Sequence, residues 1–302
     1  MTVQLPAEFL ALQNADDTWQ PWLDALPRLV REVLDDWALE VDGQPAAGAC
    51  AAVVPVRDRY GTRAAAKFAW PHPEQRLEHL ALQAWRGNGA VRLLRADPAR
   101  NVMLLERAEP TDLTNVPVLQ ACEVVAGLYS RLHVPATPQF DLLSENCVRW
   151  SRELLDLPRG APVPRRYVEQ AASLARDLAS DPATDGTLIH TDLHYFNVLA
   201  ADREPWLAID PKPLSGDPLF EIAPLLWNRW DEVTASGDVR AAVRERFHAM
   251  VDLTGGDEDR ARDWVVVREI VNILWGIQDD ATIGMDDEDI TTALAIAKAV
   301  QD

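Results

Sequence analysis

Apolar and polar positions along the chain follow two different rhythms. Trp19, Trp22, Leu23, Leu26 and Leu29 recur at three- and four-residue steps, which predicts one or two helices interrupted by Pro21 and Pro27. From residue 38 the texture changes. Segments 38–42, 49–56 and 62–70 are short apolar or β-branched runs, separated by 43–48 and 57–61, and read as consecutive antiparallel strands. Segment 74–85 places Leu77, Leu80, Ala81 and Ala84 on one helical face, and strands are expected again at 90–96 and 102–107. Beyond Pro110 the helical rhythm dominates: Leu119, Cys122, Val125, Ala126, Tyr129 and Leu132 keep it, as does 168–178. Short strands are expected at 187–189, 198–200 and 206–209, and helices at 219–230, 239–253, 258–278 and 287–299. The pattern predicts an α+β protein: an N-terminal lobe over 1–107, an antiparallel sheet with one inserted helix, and a mainly helical C-terminal lobe over 108–302.

Composition narrows the classes. With 302 residues, 48% hydrophobic and 25% charged, the chain is long enough for two lobes with substantial cores, and it is neither coiled coil nor low-complexity. Lys plus Arg number 29 against 48 Asp plus Glu, a net charge of −19. That field repels phosphate backbones and anionic lipid and attracts cations, so nucleic acid and membrane are excluded as expected partners. Cys50, Cys122 and Cys147 are odd in number and lack CxxC spacing, which argues against a disulfide framework or a zinc knuckle and for a reducing compartment. The start of the chain has no basic stretch followed by an apolar core, so a cytoplasmic, soluble protein is expected.

Candidate chemistry concentrates in His190-Thr191-Asp192-Leu193-His194-Tyr195-Phe196-Asn197, followed by Trp206 to Asp210. Phosphoryl transfer from a nucleotide needs a carboxylate to take the hydroxyl proton and oxygen ligands to hold Mg²⁺ against the phosphates. Asp192 suits the base, Asn197 a neutral metal ligand and Asp210 a charged one, and an oxygen-only set suits magnesium. The alternation of His190, Asp192 and His194 admits a different reading, a zinc or iron hydrolase site on one face of a strand. His190 by itself reads as a buried brace of the loop, and Asp217, after Gly216, as a helix N-cap.

The pattern H-x-D-x-x-x-x-N, completed by Asp210, resembles the catalytic core of protein-kinase-like phosphotransferases. Within that superfamily, His190-Thr191-Asp192-Leu193-His194 together with Asp210-Pro211-Lys212-Pro213-Leu214-Ser215-Gly216-Asp217-Pro218 is similar to the aminoglycoside phosphotransferases, in the branch of streptomycin 6-phosphotransferases and aminoglycoside/hydroxyurea resistance kinases. The likeness extends over 67–94 and spans roughly 41–230. It implies a two-lobed protein-kinase-like fold that moves the γ-phosphate of ATP or GTP to a hydroxyl of an aminoglycoside, streptomycin foremost, with Mg²⁺ as cofactor.

Residue by residue, the resemblance makes Asp192 the catalytic base and Asn197 and Asp210 the Mg²⁺ ligands. Lys67 becomes the lysine on the α- and β-phosphates, and Glu78 its helix partner, with Glu74 one turn earlier. The stretch 106–109 becomes the hinge against the purine edge, Glu106, Arg107 and Ala108 being its candidate cofactor-binding residues. Aminoglycosides are polycationic, and the resemblance places acceptor-binding carboxylates on the C-terminal helices: Glu269, Asp279 and Asp280, beside Asp192 itself, with Trp275 as a wall. Asp286, Asp287 and Glu288 add acid there, or else cap and solvate the final helices. The chain departs from the wider kinase pattern in lacking GxGxxG and in carrying Asp210-Pro211-Lys212 where Asp-Phe-Gly is usual. Two rivals follow. One keeps the mechanism with hydroxyurea, a sugar or another metabolite as acceptor; the other, suggested by the missing glycines, is a nucleotide-binding pseudokinase without catalysis.

Overall fold

A computed structural model describes residues 19–48, 50–278 and 285–301. The chain divides into two compact units: one takes the described residues up to Pro110 together with Ala200–Leu207, the other Thr111–Leu199 and the described residues from Ala208 on.

The described part of the first unit opens with α1 (Trp19–Trp37), the single-helix form of the expected one or two helices, and it runs through both prolines without the expected interruption. Pro21 lies in the first turn, where its missing N–H goes unused. Pro27 costs an interior hydrogen bond but is exposed, so its ring disturbs no packing. The buried stripe Trp19, Leu23, Leu26, Val30, Val33 and Trp37 outweighs that cost, because each fully buried large apolar side chain contributes about 1.5–3 kcal/mol.

The sheet comprises β1 (Leu39–Val41), β2 (Ala46–Ala47), β3 (Ala51–Asp58), β4 (Arg63–Ala69), β5 (Leu93–Asp97) and β6 (Val102–Glu106), in the antiparallel order β1-β3-β4-β6-β5 with β2 on β3. Between β4 and β5 lies α2 (Glu78–Trp85), preceded by a 3₁₀ turn, Pro73–Gln75, where the apolar spacing predicted helix from residue 74. Period-two alternation divides β4: Ala64, Ala66 and Phe68 join the core under α1, where Trp19 stacks on Trp70 at 4.8 Å. Lys67 therefore belongs to the other face.

The second unit is mainly helical: α3 (Val118–Leu132), α4 (Leu143–Asp156), α5 (Arg165–Ala179), α6 (Ala223–Leu226), α7 (Trp230–Ala235), α8 (Val239–Thr254), α9 (Glu258–Gln278) and α10 (Asp287–Ala299). Its short strands are β7 (Val134–Pro135), β8 (Thr187–Ile189), β9 (Val198–Leu199), β10 (Leu207–Ala208), which begins on the last residue of the first unit, and β11 (Leu214–Gly216). Helix α9 is buried on nearly every side and packs against α4, α5, α6, α8 and α10. The helix expected at 219–230 is instead a 3₁₀ turn, Pro218–Ile222, then α6 and α7, because Arg229 adopts φ 52° and restarts the helix. Strands β11, β8 and β7 form an antiparallel three-stranded sheet that sets Leu214 opposite Ile189 and Gly216 opposite Thr187. A Cβ on Gly216 would lie 2.4 Å from Ile189 Cδ1, so any side chain here forces the buried Ile189 out of its place.

Candidate active site

In the first unit the inner face of β4 meets the start of α2. Lys67 Nζ donates to both carboxylate oxygens of Glu78, at 2.8 and 2.7 Å, and the two side chains are only 6% and 0% exposed. Lys67 is thus no surface residue of an alternating strand. At the end of β6, the Glu106 carboxylate is gripped by Arg203 Nε and Nη2 at 2.8 and 3.0 Å and accepts the Arg92 backbone N–H at 3.0 Å. Arg107 donates to the carbonyls of Ala64 and Val56 at 2.7 and 2.8 Å, so its side chain fastens three strands. Ala108 follows directly and has no polar side-chain atom of its own.

In the second unit β8 delivers the chain into His190, and β11 delivers it into Asp217 and the 3₁₀ turn that carries Glu221. Glu221 is fully buried. Its Oε1 accepts the backbone N–H groups of His190 and Thr191 at 2.8 and 2.7 Å, and its Oε2 lies 2.6 Å from His133 Nε2. The hydroxyl of Tyr129, stacked on His133, donates to the Glu221 carbonyl at 2.7 Å. This carboxylate pins the loop while Thr191 holds φ 65°, a costly conformation for a β-branched residue. Sequence reasoning passed over Glu221; the signal was a lone acid inside the apolar run Leu219-Phe220-Glu221-Ile222-Ala223.

His190 is a brace. It is buried, and with the Ile209 carbonyl as acceptor at 2.9 Å its Nε2 carries the hydrogen, while Nδ1 accepts the Asp192 backbone N–H at 3.3 Å. Burial lowers its pKa and keeps the ring neutral. With both nitrogens engaged the ring has no lone pair for a metal. Among the described residues no group of three or more His, Cys, Asp or Glu side chains is disposed to hold one, so the zinc or iron reading falls.

Asp192 is arranged asymmetrically. Its Oδ2 takes the Lys212 ammonium at 2.7 Å and the Asn197 amide at 3.4 Å, with His194 Nε2 3.8 Å away. Its Oδ1 accepts nothing from the described residues. Asn197 turns its Nδ2 inward, to the Asp192 carbonyl at 2.8 Å and His194 Nε2 at 3.2 Å. Its Oδ1 therefore points away from these acceptors and is available as a neutral oxygen ligand. The Asn197 carbonyl accepts the Ile209 N–H at 2.9 Å, which brings the following residue, Asp210, to the same end; its backbone sits at φ 54°. The Asp210 charge acts on both His190 and His194. An amide oxygen and a carboxylate, with no sulfur or free imidazole nitrogen, fit a hard cation such as Mg²⁺.

Asp217 is a cap, accepting the Leu219 N–H at 2.9 Å and the Trp264 indole N–H at 2.7 Å. Asp286 likewise caps α10 in a capping box with Asp289. Asp279 and Asp280 lie outside the described residues. Trp275 is half-buried, edge-on to Trp150, with the Arg268 guanidinium 4.6 Å over its ring. Glu269 is enclosed completely: Oε1 accepts the Trp227 indole N–H at 2.6 Å, Oε2 has no partner, and burial pushes its pKa up to about 8. A carboxyl whose folded pKa is raised contributes stability that is complete below its unfolded value near 4.5 and is lost as pH climbs toward about 8. Glu269→Gln is accordingly expected to melt like the wild type at pH 4.5 and to gain roughly 4 kcal/mol over it at pH 8, read from melting curves across pH.

A bracing lysine–glutamate pair on an antiparallel sheet and an H-x-D-x-x-x-x-N loop with a following aspartate on a helical unit define a phosphotransferase of the protein-kinase-like class. The family model for aminoglycoside/hydroxyurea antibiotic resistance kinases matches residues 36–280, and the chain belongs to that family. A streptomycin 6-kinase of Streptomyces glaucescens is 41% identical over 92% of this chain and 91% of its own. A hydroxyurea phosphotransferase of Kitasatospora aureofaciens is 36% identical over 92% and 81%. In fold the chain is similar to a choline kinase from Streptococcus pneumoniae, with a TM-score of 0.61 at 13% identity over 91% of this chain and 98% of that one. The α+β, protein-kinase-like expectation agrees with these likenesses, and the protein is an O-phosphotransferase of this family, which draws its phosphate from a nucleoside triphosphate. No described helix is long and apolar enough to cross a membrane.

Proposed function

We propose that this enzyme transfers the γ-phosphate of ATP or GTP to a hydroxyl of streptomycin, in the manner of a 6-phosphotransferase. The relative at 41% identity supports this acceptor, and the net charge of −19 favours a polycation. The observation that carries the mechanism is Asp192, whose Oδ2 is held by Lys212 and Asn197 while Oδ1 is left for an incoming hydroxyl.

In this reading Asp192 Oδ1 orients the acceptor hydroxyl and takes its proton as the oxygen attacks phosphorus. Lys67, steadied by Glu78, neutralises the α- and β-phosphates, and the backbone of 106–108 meets the purine edge. Asn197 and Asp210 would hold Mg²⁺, which when bound supplies positive charge against the phosphates. The lobe 1–107 serves the nucleotide and 108–302 the acceptor. Cys50, Cys122 and Cys147, present as thiols, suit the cytoplasm.

Transfer of radiolabelled γ-phosphate to streptomycin tests this, with hydroxyurea and simple sugars as competing acceptors. The wild type is expected to prefer streptomycin, and Asp192→Asn to lose about two orders of magnitude in turnover or more. Equal turnover by the two proteins would remove Asp192 from the chemistry. Faster labelling of hydroxyurea would shift the assignment to the acceptor of the relative at 36% identity.

A further inference from the structure

We propose that Lys212 is a further catalytic residue, whose ammonium engages the phosphoryl group in transit and exchanges its partner from Asp192 to the new phosphate ester as the reaction proceeds. This rests on the phosphotransfer reading above.

Three of the 29 Lys plus Arg residues are lysines, at 67, 212 and 298. A chain that meets nearly every need for a cation with arginine keeps lysine at Lys67 and at Lys212, one residue on each of two carboxylates. Lysine offers a compact point charge where arginine offers a planar fork. Position 212 therefore suits a site where a single charge must serve a carboxylate and a phosphate oxygen at once.

The ammonium is not needed to hold its own segment. The Lys212 backbone N–H donates to the His190 carbonyl at 3.0 Å, and the Lys212 carbonyl accepts the Thr191 hydroxyl at 2.6 Å. Pro211 and Pro213 restrict the main chain on either side. The side chain thus leaves a fixed base, and its tip reaches Asp192 Oδ2 at 2.7 Å. Exposure separates this pair from the other one. Lys67 and Glu78 are sealed at 6% and 0%, whereas the Lys212 side chain is 32% exposed and Asp192 12%, so the ammonium can meet a second anion without breaking the fold.

The charge balance supplies the reason. As the acceptor oxygen uses a lone pair to form the bond to phosphorus, its proton passes to Asp192 Oδ1, and the electron pair of the breaking P–O bond leaves with the nucleoside diphosphate. Asp192 is then neutral, and its Oδ2 no longer presents a full negative charge to the Lys212 ammonium. The nearest new anion is the phosphate ester formed on the oxygen that Asp192 has just deprotonated. The negative charge facing Lys212 moves from carboxylate to ester, and release of the proton from Asp192 to water restores the resting pair. A cation fixed where negative charge develops favours the transition state over the ground state.

Lys212→Ala and Lys212→Met, the latter keeping the aliphatic stem, test the assignment with whichever of streptomycin and hydroxyurea the wild type phosphorylates. Turnover is expected to fall roughly 30-fold or more, the order of one charge-assisted contact, with both KM values within about threefold of wild type. Affinity for ADP with aluminium fluoride and acceptor, a mimic of the phosphoryl group in transit, is expected to fall by a similar factor while affinity for ADP alone holds. Lys212→Arg is expected not to restore turnover. Turnover within threefold of wild type in a Lys212→Ala protein, beside an inactive Asp192→Asn, overturns the role of Lys212 alone. So does lost turnover with full affinity for the fluoride complex, which would make Lys212 a positioning residue for Asp192, and so does failure of both variants to fold. A wild type that phosphorylates neither acceptor overturns the phosphotransfer reading and this role with it.

Discussion

Lys67→Met is expected to lower stability by about 3–5 kcal/mol and kcat/KM by about two to three orders of magnitude. The first effect follows from burial: the Glu78 carboxylate is wholly enclosed, and the variant takes away the ammonium that meets both its oxygens. The second follows from the lost cation for the phosphates. The two separate in the double variant Lys67→Met/Glu78→Leu, which replaces the pair by apolar groups of similar volume. Its melting temperature should return close to that of the wild type while transfer stays at the level of the single variant. A double variant that recovers activity with stability would show the pair to be purely structural.

Glu221→Ala is expected to cost about 3–5 kcal/mol and at least an order of magnitude in kcat, although Glu221 touches no substrate in the proposed reaction. Its removal orphans the buried N–H groups of His190 and Thr191, each worth about 1–3 kcal/mol when unsatisfied, and releases the restraint on Thr191 at φ 65°. The loop would relax toward ordinary backbone angles and carry Asp192 with it, and small misplacements of a reacting group are costly. Denaturant unfolding and steady-state kinetics check the two effects, and Glu221→Gln, which keeps Oε1 as an acceptor, should retain more of both. A Glu221→Ala protein that is destabilised yet turns over at the wild-type rate would uncouple the anchor from the chemistry.

The order of strands and helices was legible because 38–70 breaks into short apolar runs and α3 keeps its apolar residues at three- and four-residue steps, and the Asp192 to Asn197 spacing survives intact into three dimensions. What stayed hidden depended on partners distant in sequence. Helix α1 runs through Pro27 because a sheet waits beneath its stripe. Helix α4 escaped notice because Ser151 and the many charged residues around it break up its apolar ladder; Ser151 is buried nonetheless, donating to the Ala172 carbonyl at 2.8 Å on α5. Glu221 and Lys212 acquire meaning only when β11 pairs with β8 and their neighbours meet the loop. The resemblance offered Glu269 as an acceptor-binding carboxylate, but α9 is surrounded on nearly all sides and the side chain is fully enclosed, which leaves it no face toward an acceptor.

The clamp of Arg203 on Glu106 joins residues 97 positions apart. During synthesis at about 5–20 residues per second, the first unit would wait roughly 5–20 s after Glu106 leaves the ribosome before its closing arginine exists. Its sheet can form earlier from its own residues, with Arg107 already fastening β6 to β3 and β4, but the Glu106 carboxylate lacks its arginine until much of the second unit has been translated. The nascent N-terminal portion is therefore an unfinished fold that ripens late, and a fragment cut at Pro110 would stay permanently in that immature state.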